Sequence, residues 1–109
     1  MNFPLKHIPN RTKSPRDNGL TMVMDKGLSL RESENMISSA SKHIDIVKLG
    51  FGTAFLTEDL DKKIKLYQNA GFKVYFGGTL FEAFIIRDMF QEYVELIKRF
   101  EMDTDRIVP

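Results

Sequence analysis

Three short apolar runs in this chain each end in residues suited to handling anions or hard cations. Asp25 and Lys26 follow the first run. Lys48 closes the second and is followed by Gly50, Gly52 and Thr53, while Gly77, Gly78 and Thr79 follow the third, with Glu82 one turn further on. Lysines neutralise phosphate or carboxylate groups, glycine turns let backbone N–H groups approach an anion, and carboxylates hold hard divalent cations. Lys48 is the most informative of these residues. A charged side chain within IDIVKLG is costly to bury unless it is paired or meets an anion. Its alternative role is an ion pair with Asp25 or Glu82 across neighbouring strands, and the two roles are compatible.

The other candidates also carry plain structural alternatives. Lys26 can be a solvated loop lysine, and Gly77-Gly78-Thr79 can be only a tight strand-to-helix turn. A phosphate cradle needs more than two glycines, and neither a dinucleotide fingerprint nor a P-loop lysine-serine pair is present. Glu82 can share a divalent cation with Asp25 or simply complement the first turn of its helix. His7 and His43 are isolated and are expected at the surface, and Asp45 has the opposite strand parity from Lys48 and is expected to be structural.

Composition narrows the classes. The 109 residues are 42% hydrophobic and 28% charged, and 16 Lys+Arg against 15 Asp+Glu leave a net charge of +1. The apolar content is too high for disorder, and no run approaches the ~20 residues that span a bilayer. Balanced charge offers no broad field for a nucleic-acid backbone, and the N-terminal stretch has no secretory pattern, so a cytoplasmic protein with neither membrane nor nucleic-acid partner is expected. Without cysteine there is no disulfide framework and no thiolate metal site.

The elements that must position these residues follow from periodicity. Residues 1–19 hold three of the four prolines and form an irregular lead-in, and residues 20–109 make one domain. Leu20 to Met24 fits a strand buried on both faces, Ile44 to Leu49 a second strand, and Phe72 to Phe76 a third. Ser29 with Glu32 makes a capping box for a first helix running to about Ala40. A second helix is capped by Thr57 or Asp59 and stopped at Gly71, with Leu60, Ile64 and Tyr67 on its apolar stripe and Asp61, Lys62, Lys63 and Lys65 on its wet face. A third helical stretch starts near Thr79, with Phe81, Phe84, Ile85 and Met89 apolar, and continues through Phe90, Tyr93, Val94 and Ile97 after a break near Asp88. The alternation implies an α/β fold with parallel strands and right-handed crossovers, in which ligands bind at the C-terminal strand ends. Three units fit either an open doubly wound sheet or part of a barrel.

GLTMVMDKGLS (Gly19 to Ser29), HIDIVKLGFGT (His43 to Thr53) and VYFGGTLFE (Val74 to Glu82), in this order and at these intervals, resemble the phosphosulfolactate synthase family. The lead-in RTKSPRDNGLTMV (Arg11 to Val23) resembles its bacterial branch, and the similarity runs from Asn10 to Phe100. The resemblance implies a (β/α)8 TIM barrel, of which this chain would be the N-terminal portion, with about three βα units. It implies the magnesium-dependent addition of sulfite to phosphoenolpyruvate, giving (2R)-phospho-3-sulfolactate for coenzyme M or sulfolactate biosynthesis. On that resemblance Lys26 and Lys48 are the catalytic lysines that neutralise substrate charge. Gly50, Gly52, Thr53, Gly77, Gly78 and Thr79 bind substrate, and Asp25 and Glu82 are the Mg2+ ligands.

On the same resemblance, the lysine that serves the family as general acid is expected on a later strand, beyond Pro109. A fourth strand is expected to begin at Asp105 to Val108, and an open three-stranded sheet leaves its edges unpaired. Truncation, a homo-oligomer, or a second half supplied by another chain is therefore expected. The rival functional expectations are a non-catalytic anion-binding or assembly module and a heat-stress-type homologue of the same barrel.

Overall fold

The computed structural model describes residues 20–102 and Lys6; the expected lead-in and the expected fourth strand lie outside the described residues, Lys6 apart. The order is β1 (Met22–Asp25), α1 (Leu30–Ala40), β2 (Ile46–Leu49), α2 (Leu60–Asn69), β3 (Lys73–Phe76), α3 (Gly78–Ile85) and α4 (Phe90–Arg99), with single 3-10 turns at Ser41–His43 and Thr53–Phe55. The strands form one parallel sheet with β2 in the middle. Met24, Lys48 and Tyr75 stand side by side in one row, and Asp25, Leu49 and Phe76 in the next. The α/β class and the parallel sheet expected from the sequence are therefore present.

Local chemistry explains the boundaries. The Ser29 hydroxyl accepts from the Glu32 N–H at 3.2 Å, and the Glu32 carboxylate accepts from the Ser29 N–H at 2.9 Å, completing the capping box that starts α1. At the end of α2, Gly71 takes φ +93°, the Gly71 N–H donates to the Gln68 carbonyl and the Phe72 N–H donates to the Tyr67 carbonyl. This is a Schellman stop, and the Tyr67 and Phe72 rings pack 6.1 Å apart across it. The break near Asp88 is built the same way. Asp88 has φ +56°, and the Met89 N–H closes back on the Phe84 carbonyl, which separates α3 from α4.

The strands are buried on one face only. Val47, Leu49, Val74 and Phe76 lie under the helices with Ile64, Tyr67, Tyr93, Ile97 and Phe100. The expectation that β1 is buried on both faces fails, because Met22 is 55% and Met24 40% exposed on a sheet face that no described helix covers. No helix among the described residues is long and apolar enough to cross a membrane.

Candidate anion-binding site at the strand ends

Side chains alternate along a strand, so each row of the sheet sends its residues to one face. Lys48 therefore shares with Met24 and Tyr75 the face that no described helix covers, and it is half-buried. It has no carboxylate partner among the described residues. The ion pair with Asp25 considered for it does not form, because Asp25 is one residue beyond Met24 and points to the helix-covered face.

The stem of Lys48 passes over the start of α3. A Cβ added to Gly77 would lie 3.0 Å from the Leu49 carbonyl oxygen, 3.4 Å from the Cα of Gly50 and 3.5 Å from the Cε of Lys48. Gly77 is thus where β2, its following loop and α3 meet, and a side chain there would crowd the Leu49 carbonyl while touching the lysine stem. Gly77 donates its N–H to the Leu49 carbonyl, and it caps α3 without a side-chain hydrogen bond. The first N–H groups of a helix, left without such a cap, are natural donors to an anion. Gly78 and the exposed Thr79 begin that helix.

The two remaining loops close on the same rim. A Cβ on Gly27 would lie 3.6 Å from the Thr53 methyl, and one on Gly52 would lie 3.6 Å from the Thr79 methyl. The Thr53 hydroxyl donates to the Gly50 carbonyl at 2.8 Å, and the Gly50 N–H donates to the Asp25 carbonyl at 2.8 Å, tying the β2 loop to β1. Phe51 was not singled out by sequence. Its φ is +56°, followed by +71° at Gly52, and a left-handed bulky residue carries strain of ~1–2 kcal/mol. The ring so placed receives the Lys26 ammonium 5.5 Å above its centroid. The sequence signal available was a bulky residue held between two glycines.

Asp25 does not face this rim. Its Oδ1 accepts from the Gly27 and Leu28 N–H groups, each at 2.8 Å, and its Oδ2 accepts from the Tyr67 hydroxyl at 2.7 Å and the Lys63 ammonium at 2.8 Å. Lys63 also donates to the Leu28 carbonyl at 2.6 Å, and the Ser33 hydroxyl lies 2.9 Å from both the Tyr67 oxygen and the Ser29 carbonyl. Asp25, Ser33 and Tyr67 are fully enclosed and Lys63 is 1% exposed. The assignment of Lys63 to the wet face of its helix is therefore corrected: the β1 loop folds over it and supplies its acceptors. Burial by itself would raise the Asp25 carboxyl, but the Lys63 ammonium, the Tyr67 hydroxyl and the two loop N–H groups together hold it below the ordinary carboxylate range. Burial pushes the Tyr67 phenol well above its ordinary value; the Ser33 bond opposes this and the Asp25 carboxylate adds to it.

The rim thus gathers Lys26, Lys48, Gly50, Gly52, Thr53, Gly77, Gly78 and Thr79, and leaves the Asp25 carboxylate behind the sheet. Glu82 is exposed in α3, and its carboxylate has no partner among the described residues. The four donors to Asp25 leave it no free position for a metal, and no group of three acidic or histidine side chains converges among the described residues. These residues by themselves do not fit a magnesium site. His43 is exposed, as expected, and Asp45 is structural: its carboxylate accepts from the Thr21 N–H at 2.7 Å.

Comparison with known proteins agrees with the resemblance carried by the three strand-end motifs. The profile of the family described as (2R)-phospho-3-sulfolactate synthase (ComA) matches residues 9–105. The phosphosulfolactate synthase of Bacillus subtilis is 38% identical over 86 residues, which cover 79% of this chain and 34% of that protein. That of Methanothermobacter thermautotrophicus is 33% identical over 98 residues, covering 88% and 38%, and that of Methanocaldococcus jannaschii is 44% identical over 78 residues, covering 70% and 31%. The chain spans about a third of the length of these curated relatives. A family match over nearly the whole chain shows that it belongs to the (2R)-phospho-3-sulfolactate synthase family.

Proposed function

We propose that this chain forms the anion-binding strand ends of a phosphosulfolactate synthase, within the first part of a (β/α)8 barrel whose lumen is the sheet face that no described helix covers. The reaction is the addition of sulfite to phosphoenolpyruvate, giving (2R)-phospho-3-sulfolactate. The observation that carries this reading is the placement of Lys48. It is a half-buried lysine without a carboxylate partner among the described residues, with its stem against Gly77 where α3 begins. A cation beside the positive end of a helix is unfavourable unless an anion lies between them.

The chemistry asks for such a rim. Sulfite sulfur attacks the methylene carbon of phosphoenolpyruvate, and the electron pair of the double bond moves toward the carboxylate, giving an enediolate-like intermediate. A proton then arrives at the neighbouring carbon, and the phosphate ester stays intact. Three anionic groups must be brought together and the developing charge stabilised, which preorganised ammonium groups and N–H donors do in a site shielded from water. Lys48 and the first N–H groups of α3 serve one anionic group, and Lys26, steered by Phe51, serves another. Magnesium, as the cofactor of the whole reaction, would supply further charge neutralisation; of the two carboxylates expected to hold it, only Glu82 is without a partner among the described residues. The general acid is not among the residues of this rim.

Lys48→Met is expected to weaken phosphoenolpyruvate binding by roughly 10- to 100-fold in calorimetry, since a charge-assisted hydrogen bond contributes about 1.5–3 kcal/mol. Lys42→Met, at an exposed position away from the rim, leaves it unchanged. Equal affinity in the wild type and Lys48→Met would overturn the assignment. A non-catalytic anion-binding module is the second reading, favoured by the filled coordination of Asp25. Sulfite- and magnesium-dependent loss of phosphoenolpyruvate supports the enzyme, whereas thermal stabilisation by the ligand without turnover supports the module.

A further inference from the structure

We infer that the enclosed Asp25, Lys63 and Tyr67 network is a positioning device, which sets the β1 loop so that Lys26 is presented over the rim. The inference rests on reading that rim as an anion site. The loop between β1 and α1 is only four residues long, from Lys26 to Ser29, and it is held from beneath at two successive N–H groups and one carbonyl. Asp25 takes the N–H groups of Gly27 and Leu28, and Lys63 takes the Leu28 carbonyl. Tyr67 and Lys63 in turn fix the carboxylate that grips the loop. Lys26 lies immediately before these gripped residues, and its ammonium lies over Phe51 on the neighbouring loop.

A purely structural ion pair has no need to hold loop backbone, and an apolar replacement often serves stability as well. Here Asp25 Oδ1, the Lys63 ammonium and the Ser33 hydroxyl each bond backbone of one loop, and that loop bears one of the two lysines assigned to substrate. Gly27, at φ +110°, adopts a conformation that L side chains rarely take and that glycine reaches without steric cost, so the gripped turn is open to this sequence.

The test compares the full wild-type chain with Lys63→Met, Tyr67→Phe and a control, Ile97→Ala, which destabilises α4 far from the rim. Three quantities are read on folded protein: amide exchange at Gly27 and Leu28, the through-space NMR contact between the Lys26 side chain and the Phe51 ring, and affinity for phosphoenolpyruvate. In Lys63→Met the two amides are expected to exchange at least about tenfold faster relative to the β2 amides. The Lys26 contact is lost, and affinity falls about tenfold. Ile97→Ala leaves the relative exchange, the contact and the affinity as in the wild type. Wild-type values at Gly27, Leu28 and Lys26 in Lys63→Met would overturn the inference and leave a structural ion pair.

If Lys63→Met does not fold, Tyr67→Phe decides the question: it removes one donor from the same carboxylate oxygen and should move the same readouts in the same direction by a smaller amount. No change in that variant overturns the inference. If the wild type binds no phosphoenolpyruvate, the anion-site reading fails by itself, and the first two readouts still show whether the network sets the loop.

Discussion

Asp25 and Lys63 bear most of the electrostatic risk in this molecule, since each is a full charge withdrawn from water. Removing one partner of such a pair leaves the other charged and uncompensated, at a cost of about 3–5 kcal/mol. Lys63→Met should therefore lower the unfolding free energy in urea by that amount, while the exposed neighbours Lys62→Met and Lys65→Met stay within about 0.5 kcal/mol of the wild type. The pH dependence has a defined sign. Because the Asp25 carboxyl is held below its ordinary value in the folded chain, the unfolded chain binds more protons near that pH. Its stabilisation is present above about pH 4 and is lost as the pH falls toward the folded value. Urea midpoints between neutral and acid pH should show this loss, and Asp25→Asn should flatten the acid limb in a less stable protein. Helical period places Lys63 next to Ile64 and four residues from Tyr67, but period cannot show that a neighbouring loop will enclose it.

At the scale of elements, strands, helices and their stops were largely legible, because each is fixed by short-range chemistry. Ser29 with Glu32 starts α1, Gly71 ends α2, and the weakened pattern near Asp88 marks a real division of the last helix. Asp88 occupies the left-handed position of its stop, which aspartate tolerates better than branched residues. Asp88→Val is expected to lower thermal stability by about 1–2 kcal/mol, and Asp88→Gly to leave it equal or slightly raised; calorimetric unfolding of the two variants checks this. The strained Phe51 was not legible, since a left-handed aromatic residue follows from how the loop between β2 and the Thr53–Phe55 turn must cross the rim.

For the whole molecule, the decisive feature is a parallel sheet covered on one side among the described residues. Met22 and Met24 stand on its other face, in the same rows as Ile46, Lys48 and Tyr75. An apolar face of that kind binds hydrophobic probes. The chain should enhance Nile red fluorescence, and the double variant Met22→Thr, Met24→Thr should reduce the enhancement with no change in far-UV circular dichroism. Equal dye binding by both proteins would place the exposed apolar surface elsewhere, at Phe55, Leu56 and Ile86.

The sequence by itself determined the α/β order, the parallel strands, the helix stops and the set of polar residues that would reach the strand ends, because periodicity, caps and strand parity act over a few residues. Only the tertiary structure decided which charges meet. It turned Asp25 toward Lys63 and Tyr67, left Lys48 beside Gly77, and brought Lys26 over Phe51. Those pairings join residues far apart in the chain, and strand register together with loop closure fixes them.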